Sequence, residues 1–431
     1  MSFDQIAALA VLVAVVAMLI HGKLRSDVVA LSGAAALLLL GVIRPVEVQG
    51  AFASPAVIAL ASLFVIAYAI ELSGLLGLLI RQASKLCARL GALGLWLVII
   101  LCGGASAFLN NTPIVVLAAP VVKDVALGMN LSPKRFLIPL SYVTIMGGAC
   151  TLIGTSTNLL VNDMARNAGQ PVFSLFEITP VALVIAVFGG LYLYLVGGRM
   201  LSRDEAGPEK AQAHVQTGDG ILGDAALFAA DRPFDPKRAF LALGVFVIVI
   251  AAAGLGVAPI AAAAFAGAVV LILLRVISPD EAYAGLRPEV LLLIAGMVVV
   301  GLAIQVTGLA GQGAEFLIDA IRPLGPLGAL IILYGVTLFA TELLSNAAVA
   351  VLVTPVAVAL AASLGVDPRP FLVGVMMAAS AAFATPFGYQ TNVLVFQIGG
   401  YSYMDFVRVG VPLNLVTWVA AMIAIPVFFP F

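Results

Sequence analysis

Charge is scarce in this chain. Only 10% of its 431 residues are Asp, Glu, Lys or Arg, against about 25% in a soluble globular domain. With 63% hydrophobic residues, no soluble fold of this length could bury its apolar surface, so the bilayer must be the solvent. Histidine is nearly absent: His21 ends the first apolar run and His214 lies in a hydrophilic stretch. Cysteine is limited to Cys87, Cys102 and Cys150, without metal-ligand spacing and in or beside apolar segments. They read as small hydrophobes. A net charge of -1 gives nucleic acid no electrostatic footing. No metal-protease, triad, phosphate-loop or dinucleotide pattern occurs at a credible place.

The chain does hold apolar runs long enough to cross a membrane. They lie near 4–21, 28–43, 55–72, 136–162 and 178–198, and again near 239–256, 259–275, 288–306, 371–397 and 409–429. The first run, Ile6 to Ile20, has its basic residues Lys23 and Arg25 after it rather than before. That is the reverse of a signal peptide, so it reads as a retained helix. Between the third and fourth spans of each set lies a longer apolar stretch, 92–126 and 324–362, broken in its middle by polar residues. A helical hairpin that enters the membrane and turns back fits this pattern. Irregular backbone at membrane depth is tolerated only where protein buries it or it lines a cavity. Residues 201–237 are hydrophilic and aperiodic, as in an aqueous linker.

The halves on either side of that linker are related. An offset of 234 places Pro45 on Pro279, Glu47 on Glu281, and Ser73-Gly74-Leu75 on Thr307-Gly308-Leu309. It also places Thr151 on Thr385, Gly154 on Gly388, and Thr157-Asn158 on Thr391-Asn392. In the hairpins the offset becomes 235, matching Ser106 with Thr341, Asn111 with Asn346 and Pro120 with Pro355. A register held over so much of the chain implies duplication. Five crossings per half is an odd number, so the second half must be inverted.

The expected fold is an all-α polytopic membrane protein of two inverted-topology repeats. Each has about five transmembrane helices plus one re-entrant helical hairpin, with broken helices at 136–162 and 371–397. The first repeat spans 1–200, the linker 201–237, and the second repeat 238–431. Sorting the loops by side puts 17 of the 21 Lys and Arg together and leaves Arg44, Arg166, Arg322 and Arg369 on the other. By the positive-inside rule the rich side is cytoplasmic. The termini then lie outside and the linker inside, in a plasma (inner) membrane. Hairpin 92–126 enters from the cytoplasm and hairpin 324–362 from outside.

Four polar clusters interrupt the apolar segments: Asn110-Asn111-Thr112-Pro113, Gly154-Thr155-Ser156-Thr157-Asn158, Ser345-Asn346-Ala347, and Thr385-Pro386-Phe387-Gly388-Tyr389-Gln390-Thr391-Asn392. Each has the residues of a helix start. Thr112 before Pro113 suggests an N-cap with proline at N1. Ser345 or Asn346 would cap the second hairpin arm, and Thr157 and Thr391 the half-helices after the breaks. Four helix N-termini meeting at mid-membrane would attract an anion. The preceding helix ends offer carbonyls which, with Ser, Thr and Asn oxygens, suit a hard cation such as sodium. Ordinary capping and packing is the rival reading. Asparagine in lipid is costly to desolvate, so its pairing at equivalent positions favours a functional role. Glu342 is an intramembrane acid whose repeat equivalent is Ala107. Such an acid is a candidate proton carrier, though a local hydrogen-bonding role fits better.

At these clusters the sequence resembles the divalent anion/sodium symporter family of the ion-transporter superfamily, which carries Ser-Asn-Thr at the tips of two opposed hairpins. Here the tips read Asn110-Asn111-Thr112 and Ser345-Asn346-Ala347, and 151–158 and 385–392 look like the family's unwound loops. The resemblance implies sodium held between each tip and its neighbouring loop. One site would use Ser106, Asn110, Asn111 and Gly154; the other Thr341, Ser345, Asn346 and Ala384. The substrate would lie between them, near Asn111, Thr112, Thr155, Asn346, Ala347 and Pro386, with Ser156, Thr157, Asn158, Thr385, Gly388, Thr391 and Asn392 in support. It further implies a homodimer with an elevator-like motion and sodium as coupling ion rather than any resident cofactor. Asn110 stands where the family has Ser and Ala347 where it has Thr, so one substrate hydroxyl is lost. The form Asn-Asn-Thr with Gly-Thr-Ser-Thr-Asn looks closer to the sulfate-uptake branch. Members of that branch often carry regulatory domains in a central linker, which 201–237 is too short to contain. The expected activity is sodium-coupled symport of a small divalent anion, sulfate or C4-dicarboxylate, and no enzyme activity. A sodium/proton antiporter or metalloid-oxyanion permease is the alternative, and a membrane-embedded enzyme or receptor a remote one.

Overall fold

The structure is a computed structural model. It describes residues 2–21, 23–79, 82, 90–197, 200–201, 233–309 and 324–431. Most of the expected linker, together with His214, Cys87, Arg81, Lys85, Arg89, Arg199, Arg203, Lys210, Arg232 and Arg322, lies outside the described residues.

The described residues are helical, without strands. The first half contains α1 (Phe3–His21), α2 (Ser26–Leu39), α3 (Pro45–Phe52), α4 (Pro55–Leu72), α5 (Ala92–Ser106), α6 (Asn111–Gly128), α7 (Lys134–Gly148), α8 (Ser156–Asn167) and α9 (Thr179–Tyr192). The second contains α10 (Pro236–Gly254), α11 (Ile260–Leu273), α12 (Pro279–Gly285), α13 (Pro288–Val306), α14 (Gly325–Leu343), α15 (Asn346–Leu364), α16 (Arg369–Ser380), α17 (Gln390–Gly399) and α18 (Tyr403–Phe428). Among the described residues eight helices are long and apolar enough to cross a membrane, with five shorter apolar helices beside them. Large apolar side chains point outward, such as Phe240, Val247 and Ile248 on α10 and Val419, Ile423 and Val427 on α18. In water such a surface would be an aggregation liability; in lipid it is the normal exterior. The chain is an all-helical polytopic membrane protein.

The duplication is visible in where helices begin. Helices α2, α3, α6, α7 and α8 start 234 or 235 residues before α11, α12, α15, α16 and α17. Some matched residues turn out to be local punctuation. Glu47 accepts from the Arg44 N–H at 2.8 Å and Glu281 from the Ser278 N–H at 2.9 Å. Each thereby caps α3 or α12, short helices that the span pattern did not anticipate. Gly74 and Gly308 follow the ends of α4 and α13 with φ of 70° and 73°, the left-handed C′ position that glycine fills without strain.

Packing between the halves is reciprocal. Helix α2 packs on α13 and α11 on α4; α8 packs on α15 and α17 on α6; α9 packs on α18. Matched helices thus exchange partners between the halves, element i meeting j where j meets i. Helices α7 and α16 form the centre, with Phe136, Leu137, Ile138, Phe371, Leu372 and Val373 all buried. Both stop inside the protein, at Gly148 and Ser380. The chain then runs without helix to Ser156 and to Gln390, so each broken backbone is enclosed by protein rather than lipid. The arms of each hairpin, α5 with α6 and α14 with α15, pack on one another.

Candidate functional site

The four interruptions border one cavity of about 410 Å³, within the size range of small-ligand sites. Its wall takes Asn110, Asn111 and Thr112 from the first tip, 153–157 from the first loop, 342–347 from the second tip, and 387–390 from the second loop. Helices α4 and α13 close it with Leu60, Leu63, Phe64 and Ala67, and with Val290 and Leu293. Arg287, immediately before α13, completes that wall.

Three of the helix starts at the cavity carry side-chain caps. Asn110 accepts from the Thr112 N–H at 3.1 Å and Ser345 from the Ala348 N–H at 3.3 Å. Thr155 accepts from the Thr157 N–H at 3.4 Å. The cap residues at 112, 157 and 391 expected from sequence are therefore corrected. Asn110 caps α6 from the position before the Asn-Thr-Pro run, Thr155 outcompetes Thr157, and Tyr389 precedes α17 with no side-chain cap. Asn and Thr both cap well, and a polar run offers several registers.

Beneath each tip lies a matched pair. The Ser106 hydroxyl donates to Asn111 Oδ1, and the Thr341 hydroxyl reaches Asn346 Oδ1 at 2.8 Å and the Ala379 carbonyl at 2.7 Å. Ser106 and Thr341 are fully buried. Each loop is tied by its own threonine, with the Gly154 N–H donating to Thr151 Oγ1 and the Gly388 N–H to Thr385 Oγ1, both at 3.1 Å. Each is also clamped by an asparagine. Asn158 Nδ2 donates to the Ala149 and Thr151 carbonyls, and Asn392 Nδ2 to those of Ala382 and Thr385. These residues hold the unwound segments in shape. Asn158, Thr385, Thr391, Asn392, Ala384 and Pro386 stand outside the cavity wall.

Backbone oxygens gather at Gly154. A methyl group there would meet the carbonyl oxygens of Gly148, Ala107 and Ser106, the last two at 2.7 and 2.8 Å. With Asn111 and Ser106 beside them, this is an uncharged oxygen-rich cradle of the kind that suits a hard monovalent cation. Among the described residues no group of three or more His, Cys, Asp or Glu could hold a metal.

The halves differ at the hairpin residue preceding each tip. Thr151 Oγ1 donates to the Ala107 carbonyl; the repeat-equivalent Thr385 donates instead to the Glu342 carboxylate, at 2.9 Å. Glu342 also accepts from the Ala384 N–H at 2.7 Å and from Asn414 Nδ2 of α18 at 2.9 Å. It thus fastens the second loop to both α14 and α18, which agrees with the local hydrogen-bonding role expected for it.

Sequence reasoning named Tyr389 and Gln390 only as members of a cluster. The structure makes them partners of the opposite tip: Asn111 Nδ2 donates to the Tyr389 hydroxyl at 2.8 Å and the Thr112 hydroxyl to Gln390 Oε1 at 3.2 Å. Ser141 of α7 likewise crosses between halves, 2.8 Å from Thr391 Oγ1 and 2.7 Å from Asn392 Oδ1. Arg287 was counted as a loop charge; it is 9% exposed and lines the cavity.

Two broken helices and two hairpin tips around one polar cavity in a polytopic chain define a membrane transporter. The family model of the citrate transporters (CitMHS) matches residues 16–369. The chain belongs to that family. It is 25% identical to the uncharacterized transporter sll0640 of Synechocystis, over 96% of this chain and 95% of that protein. The alignment runs over 581 residues, so that relative carries insertions which this chain lacks. Over 43% of this chain and 22% of the other, it is 32% identical to the probable sodium/sulfate cotransporter 3 of Chlamydomonas reinhardtii. It is 25% identical to the sodium-dependent dicarboxylate transporter SdcS of Staphylococcus aureus over 76% of this chain and 67% of that one. Among solved structures the YdaH transporter of Alcanivorax borkumensis, of a topology described as unusual, shares the fold. It aligns with a TM-score of 0.61 at 14% identity, over 88% of this chain and 86% of that one.

Proposed function

We propose that this chain is a sodium-coupled secondary active symporter importing a small divalent oxyanion of the sulfate or C4-dicarboxylate class. The observation that carries the reading is the pair of tip asparagines. Asn111 and Asn346 each engage a buried hydroxyl five residues earlier, and both border one cavity. Relatives named for sodium/sulfate and sodium-dependent dicarboxylate transport supply the chemical class.

In this mechanism one sodium is held by Ser106, Asn111 and Gly154, with Asn110 capping the adjoining tip. The other is held by Thr341, Asn346 and Ala384, with Ser345 in the equivalent cap. Sodium fills the oxygen-rich cradles, orders the tips and adds positive charge beside the anion site. The anion then binds at the N-termini of α6, α8 and α15, which carry partial positive charge. Asn111, Thr112, Thr155, Asn346 and Ala347 form its shell. Gly388 to Gln390 serve from the second loop, because these residues and not Pro386 reach the cavity. The loaded hairpins and broken helices move as a body against α4 and α13, in an elevator-like step. Translocation changes no covalent bond, so the protein is a carrier rather than an enzyme. The two repeats lie in opposite orientation in the plasma membrane, with re-entrant hairpins, both termini outside and the linker cytoplasmic, and the protein works as a homodimer.

The deciding experiment is uptake of labelled sulfate and succinate by proteoliposomes with and without an inward sodium gradient. Accumulation that ignores the gradient would sink sodium coupling, and transport of neither anion would sink the substrate class.

A further inference from the structure

The cavity wall contains a single Lys or Arg among the described residues, Arg287, and a single acid, Glu342. Glu342 is engaged by three donors of its own half, the Ala384 N–H, the Thr385 hydroxyl and the Asn414 amide. Arg287 is 9% exposed, with its guanidinium carbon 5.9 Å from the centre of the Phe64 ring. It also borders an adjoining cavity of about 130 Å³ together with Glu71 and Glu289.

At the offset of 234 residues the partner of Arg287 is Ala53. The guanidinium therefore belongs to the second half alone. That is the half whose tip carries Ala347 where the first carries Thr112. A buried arginine is expensive to desolvate, and its planar fork matches the geometry of an oxyanion. Helix N-termini offer an anion only partial positive charge; a guanidinium adds a full charge and a planar fork for two oxygens.

We propose that Arg287 is the charge-reading residue of the transport cavity, binding the oxyanion from the α13 wall while the hairpin tips bind it from theirs. This rests on the anion-carrier reading of the same cavity and adds to it a residue outside the hairpins and loops. Because α4 and α13 lie outside the hairpins and broken helices, the contact belongs to one stage of the cycle and is released when they move.

The test combines two variants with a labelling experiment on the wild-type protein in proteoliposomes. In Arg287→Gln the KM for sulfate or succinate rises about tenfold or more, with maximal rate and melting temperature retained. Arg287→Lys, which keeps the charge and loses the fork, falls between. A KM within twofold of wild type in Arg287→Gln overturns the proposal. Wild-type protein is also treated with phenylglyoxal, and modification of Arg287 is read by mass spectrometry. Sulfate and succinate shield Arg287, whereas chloride at equal ionic strength does not. Failure of the divalent anions to shield it, or failure of the reagent to reach it, overturns the proposal even where Arg287→Gln does not fold. If sodium-driven uptake is absent but shielding is present, the symport reading falls and the anion site stands. Uptake without shielding gives the reverse result.

Discussion

Asn111 of the first hairpin tip donates its side-chain amide to the hydroxyl of Tyr389, in the broken segment of the other half, at 2.8 Å. The same asparagine takes the Ser106 hydroxyl on its carbonyl oxygen. Its side chain is thereby fixed at both ends, by one bond within its half and one across the halves. Tyr389→Phe keeps the ring and removes the acceptor, leaving a buried amide short of a partner at a cost of about 1–3 kcal/mol. The expected result is a lower melting temperature and a higher sodium concentration for half-maximal uptake. An unchanged sodium dependence would mean that the cross-half bond does not order the first tip.

The tip asparagines themselves give a sharper prediction. Asn111→Ala and Asn346→Ala each remove the oxygen that faces a buried hydroxyl, and each should abolish sodium-dependent uptake in a protein that still purifies as a folded species. Near-normal sodium dependence in either variant contradicts the corresponding site. Loss in one alone would assign the coupling to that half.

Glu342→Gln probes the tether. Three donors converge on the carboxylate, and an amide can accept on only one of its two termini. At least one donor then faces an NH2 group, and stability should fall by about 2–3 kcal/mol, with slower uptake. The dependence of the remaining uptake on pH should match that of wild type. Uptake that is lost together with its pH dependence would instead make Glu342 a proton carrier.

How much of this was legible in the chain depends on the range of the interaction. The Pro/Glu and Ser/Thr-Gly-Leu matches were legible because they are local devices: each pair makes the same cap or left-handed glycine in both halves. The hydroxyl five residues before each tip asparagine was legible for the same reason. Tyr389, Gln390 and Ser141 were not, since their partners lie more than 200 residues away and depend on how one half folds onto the other. Arg287 was counted as a loop charge, and it does sit between two helices, in the Leu286-Arg287 joint. Nothing in composition says that this joint faces a cavity. The three cap positions slipped by two residues each, where neighbouring polar side chains compete for the same N–H groups.

The two loop glycines should respond unequally to alanine. At Gly154 the added methyl meets three backbone carbonyls, which cannot move without moving the hairpin and α7. At Gly388 it meets the Ala382 methyl at 2.8 Å, the Thr385 hydroxyl at 3.1 Å and the Glu342 carboxylate at 3.3 Å. The last two are side-chain atoms at distances that a few tenths of an ångström of movement relieves. Gly154→Ala should therefore raise the sodium requirement and lower stability well beyond Gly388→Ala. Equal effects on uptake and melting would show that the Gly154 cradle is not built on the packed carbonyls.

Ser141 makes the last asymmetry testable. Its hydroxyl lies 2.7 Å from Asn392 Oδ1, whereas the equivalent Oδ1 of Asn158 is buried without a hydrogen-bond partner. The residues matching Ser141 at offsets of 234 and 235 are Val375 and Met376, and neither carries a hydroxyl. Ser141→Ala removes that hydroxyl from Asn392 and brings the second loop closer to the state of the first. The cost should be about 1–3 kcal/mol of stability, since Asn392 stays buried. Both asparagines keep their amide bonds to the loop carbonyls, so the loops should persist and uptake should survive at reduced melting temperature. Abolished uptake at an unchanged melting temperature would instead place Ser141 in the transport step itself.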